Sequence, residues 1–242
     1  MIRTVLGFML LGAWLNPLPT PAAETSAAET MSDAGKQAEY LLWATGGRSA
    51  WANVANTIVY SDLYRKDDGM PVGAVSTIDY REARLRIDTT GPHLQAIRII
   101  DGEGDRSWRL NAHGRLEKVP EDQLARDLRR YTAQVYRTVQ RIAVRDPKLK
   151  LGTGKNGSLE VYEGPTRIAW YRLDARGQPY AMGVLEDDVG VICGPWDLET
   201  RDIHYPSWVS RPDGSWRATL KSLVVDAPLG EKLFTPSLAA DQ

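Results

Sequence analysis

The chain has 242 residues, 43% hydrophobic and 25% charged, with 30 Lys+Arg against 31 Asp+Glu and a formal net charge of -1. That balance excludes a wholly disordered, collagenous or coiled-coil chain, and it removes the electrostatic case for nucleic acid as the main partner. A single Cys excludes an intrachain disulfide framework and any Cys-rich zinc site.

Residues 1–22 predict a cleaved secretory signal. Arg3 supplies the positive start, residues 5–15 are an apolar run broken only by glycine, and Pro17, Pro19 and Pro21 end it before the small Ala22 and Ala23. The run is shorter than the roughly 20 residues of a spanning helix, so the expectation is export, with cleavage near Ala22 or Ala23 and no stable membrane span afterwards. Residues 23–32 lack aromatics and large branched aliphatics and predict a flexible linker. One domain, residues 33–242, follows.

Ser32 or Asp33 can cap an opening helix whose apolar side is Ala38, Leu41, Leu42 and Ala44, and Gly46-Gly47 stops it. A second helical piece runs over residues 49–54, with Trp51 and Val54 three apart. From Thr57 the period changes to two. Residues 75–88 read as the second arm of a hairpin across Lys66-Asp67-Asp68-Gly69, with Ala83, Leu85 and Ile87 alternating against Glu82, Arg84, Arg86 and Asp88. The same alternation returns over residues 94–100, 107–111, 159–162, 167–175, 180–186 and 216–225. Asn156-Gly157, Arg176-Gly177 and Asp213-Gly214 mark turns between them. One long helix interrupts the strands. Pro120-Glu121-Asp122 opens it, Asp146-Pro147 ends it, and Leu124, Leu128, Tyr131, Val135, Val139 and Ile142 form its apolar stripe. The fold class is therefore α+β: a single curved antiparallel sheet of about eight to eleven strands, an unclosed β-barrel covered by helices.

Chemical motifs are sparse. His93, His113 and His204 have no helical ligand spacing, so neither a metal site nor a cofactor site is expected. Cys193 reads as a small buried hydrophobe, with a Cys193–His204 hydrolase as the enzymatic alternative. The acidic loop from Asp101 to Asp105 reads as a hairpin turn, Asp187-Asp188 as a loop, and Gly152-Thr153-Gly154-Lys155 as a turn that shares only a fragment of a phosphate loop. Eight Trp and ten Tyr against two Phe suit either a large sheet core or a cavity mouth.

The order of these pieces resembles the Lol-type periplasmic lipoprotein-carrier superfamily. The matching landmarks are Ala44-Thr45-Gly46-Gly47 with Trp51 after it, the strand Tyr80-Arg81-Glu82-Ala83-Arg84-Leu85-Arg86-Ile87, and Asp101-Gly102-Glu103-Gly104-Asp105-Arg106-Ser107-Trp108. Tyr205-Pro206 and the closing Val224-Val225-Asp226-Ala227-Pro228 to Phe234-Thr235-Pro236 complete them, over most of residues 33–236. The resemblance implies a periplasmic, non-enzymatic binder or carrier of a lipid, an acyl chain or a lipidated protein, with a possible envelope protein as partner. It implies an apolar cavity between sheet and lid. The expected lining is Leu85, Ile87, Leu94 and Trp108 on the sheet and Leu128, Tyr131 and Val135 on the lid. The alternative is a periplasmic sensor or protein-interaction module with a filled core.

Overall fold

The computed structural model describes residues 33–66, 69, 72–91, 94–101, 107–110 and 114–235. The expected signal and linker, His93, His113, the loop 102–106, the side chain of Leu94 and the tail from Pro236 lie outside the described residues.

Helix α1 (Ala34–Ala44) begins where expected. Asp33 stays extended, and its carboxylate accepts from the amides of Gly35 and Lys36 at 2.8 and 3.2 Å. Ala38, Leu41, Leu42 and Ala44 are all buried. Gly46 and Gly47 end the helix with φ of 120° and 97°, and α2 (Arg48–Ala52) follows with Trp51 fully buried.

Six strands then form a meander: β1 (Asn56–Arg65), β2 (Val72–Asp79), β3 (Arg84–Gly91), β4 (Leu94–Asp101), β5 (Trp108–Leu110) and β6 (Leu116–Lys118). Two helices follow, α3 (Glu121–Thr132) and α4 (Val135–Ala143). The chain returns through β7 (Leu149–Thr153), β8 (Leu159–Glu163), β9 (Thr166–Leu173), β10 (Pro179–Val184), β11 (Val191–Cys193), β12 (Leu198–Thr200), β13 (Ile203–Tyr205), β14 (Trp208–Ser210) and β15 (Trp216–Val225). Among the described residues thirteen strands make one antiparallel sheet in the order β6-β5-β4-β3-β2-β1-β15-β14-β11-β10-β9-β8-β7, and β12 and β13 form a separate pair. Edges β6 and β7 do not pair, so the barrel stays open, and α3 and α4 carry the chain from one edge to the other.

The strand count exceeds the expected eight to eleven because several strands are only three residues long, too short to show a period. The stretch 75–88 is also two strands. Asp79 folds residues 80–83 into a turn by accepting from the amides of Arg81 and Glu82, and Ala83 adopts a φ of 49°.

The expected single long helix is broken at Ala133 and Gln134. Gln134 takes an extended backbone (φ -58°, ψ 131°), and its side-chain oxygen accepts from the Arg137 amide at 2.8 Å, starting α4 anew. The break divides the apolar stripe between two cores. Tyr131 joins Ile78, Leu85 and Ile100, with Leu124 and Leu128 packed against them. Val139 and Ile142 join the main core with Leu41, Leu42, Trp51, Leu159 and Tyr171, with Val135 packed alongside.

Directly opposed residues in an antiparallel pair share a face. Leu85 opposes Ile100 on the inner, helix-covered face, and Arg86 opposes Ile99 on the outer face. A 3-10 helix (Glu231–Phe234) covers that outer face, with Phe234 and Leu233 on Ile97 and Ile99. Arg86 donates to the Leu233 carbonyl at 2.8 Å, and the Arg84 guanidinium lies 4.4 Å from the Phe234 ring centre.

Candidate functional site

The inner face of β2–β4 under α3 gathers most of the expected lining. Leu85, Ile87, Leu128 and Tyr131 meet in one cluster, and the Tyr131 hydroxyl donates to the Asp79 carbonyl at 2.9 Å. Val135 does not join them; it packs on the main core, where its carbonyl accepts from Tyr171 at 3.4 Å. Trp108 does not join them either. It opposes Ile99, hence stands on the outer face, with the Lys118 ammonium 6.0 Å from its ring. Leu94 pairs with Gly91 through its backbone.

The expected hollow is filled beneath α1, α2 and α4. Trp51, Tyr171, Leu41, Leu159 and Val161 have no exposed surface there, and the Trp51 and Tyr136 rings stack with centroids 6.0 Å apart. Side chains as large as indole and phenol occupy that space.

An open cleft of about 340 Å³ remains where β3–β5 run past the start of α3. Ile87 and Ala96 supply its apolar surface, and Arg98, Arg109 and Gln123 its polar wall, whereas the neighbouring Ile97 and Leu110 pack in the outer cluster with Phe234. Arg98 and Arg109 are directly opposed across β4 and β5. Two like charges so placed repel unless each is matched. Arg98 faces Asp127 of α3 with N and O 3.3 Å apart, and Arg109 pairs with Glu117 at 2.7 Å and donates to the Gln123 side-chain oxygen. Asp127 is 3% exposed, and its second carboxylate oxygen and the Arg98 Nε are buried without partners among the described residues. The cleft thus has an apolar floor beside a guanidinium whose hydrogen-bonding capacity is only partly used.

Arg109 and Asp127 were not among the expected site residues. Asp127 carried a signal: it falls in helical register with Leu124 and Tyr131 on the apolar stripe, where a carboxylate needs a buried partner.

The other chemical candidates find structural places. Burial pushes the Cys193 thiol up to about 12, the wrong direction for a nucleophile, and Cys193 packs on the main core. His204 sits on β13 opposite Glu199, with Nε2 4.0 Å from its carboxylate. Asp187 and Asp188 lie in the β10–β11 loop and pair with Arg211 and Arg167. Gly154 closes a turn by donating to the Ser158 carbonyl at 2.8 Å. Among the described residues no three His, Cys, Asp or Glu side chains come together as a metal site, and no helix is long and apolar enough to cross a membrane.

No family model matches the chain, and no curated protein matches it. Among solved structures it is similar to a DUF1329 family protein from Desulfovibrio piger, at 8% identity and a TM-score of 0.37, over 86% of this chain and 97% of that one.

Proposed function

We propose that the protein is an exported, periplasmic and non-enzymatic binder of an acyl chain with an acidic end, carried by a free lipid or by a lipidated envelope protein. The observation that carries this reading is the cleft beside α3, where Ile87 and Ala96 meet Arg98 and Arg109. Each methylene buried there contributes about 0.8 kcal/mol, and a guanidinium at the rim orients the acidic end. A volume of about 340 Å³ is at the small end for ligand sites, so it suits one chain or the end of one.

The test is uptake of a fluorescent fatty acid by the chain from residue 23 onward, together with lipid extraction of protein purified from its host. The wild type should bind. Ile87→Trp, which fills the cleft, should abolish binding, and Arg109→Gln should weaken the acid about tenfold and the matching alcohol little. A wild type that carries no lipid and takes up no fatty acid refutes the reading.

The filled core beneath α1, α2 and α4 favours a second reading, a sensor or protein-interaction module. It predicts no fatty-acid uptake and a protein partner held on the outside of the fold.

A further inference from the structure

A second cleft, of about 500 Å³, opens over β7–β10. Strand alternation places it on the outer face. Leu159 and Tyr171 have no exposed surface and belong to the main core, so Ser158, Glu160, Trp170 and Arg172 face the opposite way. The lining is polar, with three cations against two acids: Lys155, Asn156 and Ser158 from the β7–β8 turn, Glu160 from β8, Arg167 and Arg172 from β9, and Asp188.

Its two acids share one cation. Arg167 bridges Glu160, at 3.2 Å, and Asp188, and the Tyr162 hydroxyl donates to the other Glu160 oxygen at 2.5 Å. That leaves Lys155 and Arg172 without a carboxylate among the described residues. Arg172 is also held in place: its guanidinium lies 5.1 Å from the Trp170 ring centre, and its Nε is buried with no partner. Trp170 in turn donates to the Asp187 carbonyl at 2.8 Å, and its indole fills the space above Gly183 and Gly190. Gly154 keeps the entrance clear, since a Cβ there would stand 2.5 Å from Ser158 Oγ.

We infer that this cleft binds a phosphoryl group, held by Arg172 and Lys155 with the Ser158 hydroxyl and the Asn156 amide. A carboxylate has one charge and two oxygens, and a single guanidinium satisfies it. Two cations free of carboxylate contact, with a hydroxyl and an amide, offer more donors than one carboxylate can use and suit an anion with more oxygens. The group comes either as free phosphate or as the head group of a phospholipid. The site lies on the opposite face from the apolar cleft and does not depend on it.

Calorimetric titration of the chain from residue 23 onward with inorganic phosphate and glycerol 3-phosphate, at constant ionic strength, tests the site. Co-sedimentation with phosphatidylcholine vesicles containing phosphatidylglycerol tests the head-group source. Lys155→Gln alters an exposed turn and leaves folding intact, Arg172→Gln removes the buried donor, and Lys36→Gln on α1 is the control for net charge. Saturable binding of the soluble phosphates, weakened at least tenfold by both site variants and not by the control, supports the inference with free phosphate as source. Binding to the phosphatidylglycerol vesicles alone, with the same variant pattern, supports it with a head group as source. Absence of saturable binding to every probe, or binding indifferent to both site variants, overturns it.

Discussion

The indole of Trp51 lies against the ring of Tyr136, with centroids 6.0 Å apart and planes 11° apart. The pair joins α2 to α4 over the inner face of the sheet, and the indole nitrogen donates to the Thr45 carbonyl at 2.9 Å at the end of α1. One side chain therefore ties three helices together. Trp51→Ala should destabilise the fold by about 3–5 kcal/mol, and Trp51→Phe by less, because it keeps an aromatic ring against Tyr136 while losing the hydrogen bond and part of the indole volume. Urea unfolding followed by far-UV circular dichroism measures both.

The end of α1 is fixed by a close approach of backbones. The His204 amide donates to the Thr45 carbonyl at 3.0 Å, and a Cβ at Gly46 would overlap the Asp202 carbonyl oxygen. The φ of 120° at Gly46 adds strain for any other residue. Gly46→Ala should cost about 3 kcal/mol or more. Gly214 also has a positive φ, 70°, but open space around it, so Gly214→Ala should cost about 1 kcal/mol. Comparable losses in thermal melts of the two variants would contradict the backbone-contact account.

The legible parts of the fold were those written in local chemistry. Asn156-Gly157 and Asp213-Gly214 do turn, with φ of 70° at both glycines, and the opening helix starts at Asp33 and stops at Gly46. What stayed hidden depends on partners distant in sequence. The turn at 80–83 has no Gly or Pro and is held by the Asp79 side chain. The face of Trp108 is decided by its pairing with Ile99, and alternation inside a three-residue strand cannot set that parity. The break at Gln134 interrupts a stripe whose spacing is continuous in sequence. Of the expected apolar lining only Ile87 borders the cleft, while Leu85, Leu128 and Tyr131 pack into the core beside it. The cleft's arginines were not legible, because only the register opposes Arg98 to Arg109.

Burial drives Cys193 upward, to about 12, so its thiolate is scarce near neutral pH. At pH ~8 roughly one thiol in 10⁴ is ionised, and alkylation should be correspondingly slow. Iodoacetamide should leave the folded protein unmodified and label Cys193 fully in urea, as read by intact mass. Rapid labelling of the folded chain would remove the core assignment and reopen the Cys193–His204 hydrolase alternative.

Arg141, 5% exposed, joins the end of α4 to β8 and to the loop before β7. It donates to both oxygens of Glu163 at 3.0 and 2.9 Å and to Asp146 at 2.7 Å. Hydrogen bonds from Arg141 hold the Glu163 carboxyl below its ordinary range. Burial works against the Asp146 carboxylate, but the Lys148 amide and Arg141 outweigh it, and this group is lowered too. A carboxyl depressed in the folded state stabilises the fold fully above its unfolded pKa, and that contribution disappears as pH falls through the depressed folded value. Stability should therefore hold from neutral pH down to the usual carboxylate range and drop below it. Glu163→Gln should be less stable than wild type at neutral pH and should lose less on acidification, the two approaching one another near pH ~3 or below. Melting curves across that range decide the matter: parallel acid limbs for the two proteins would place the acid sensitivity elsewhere.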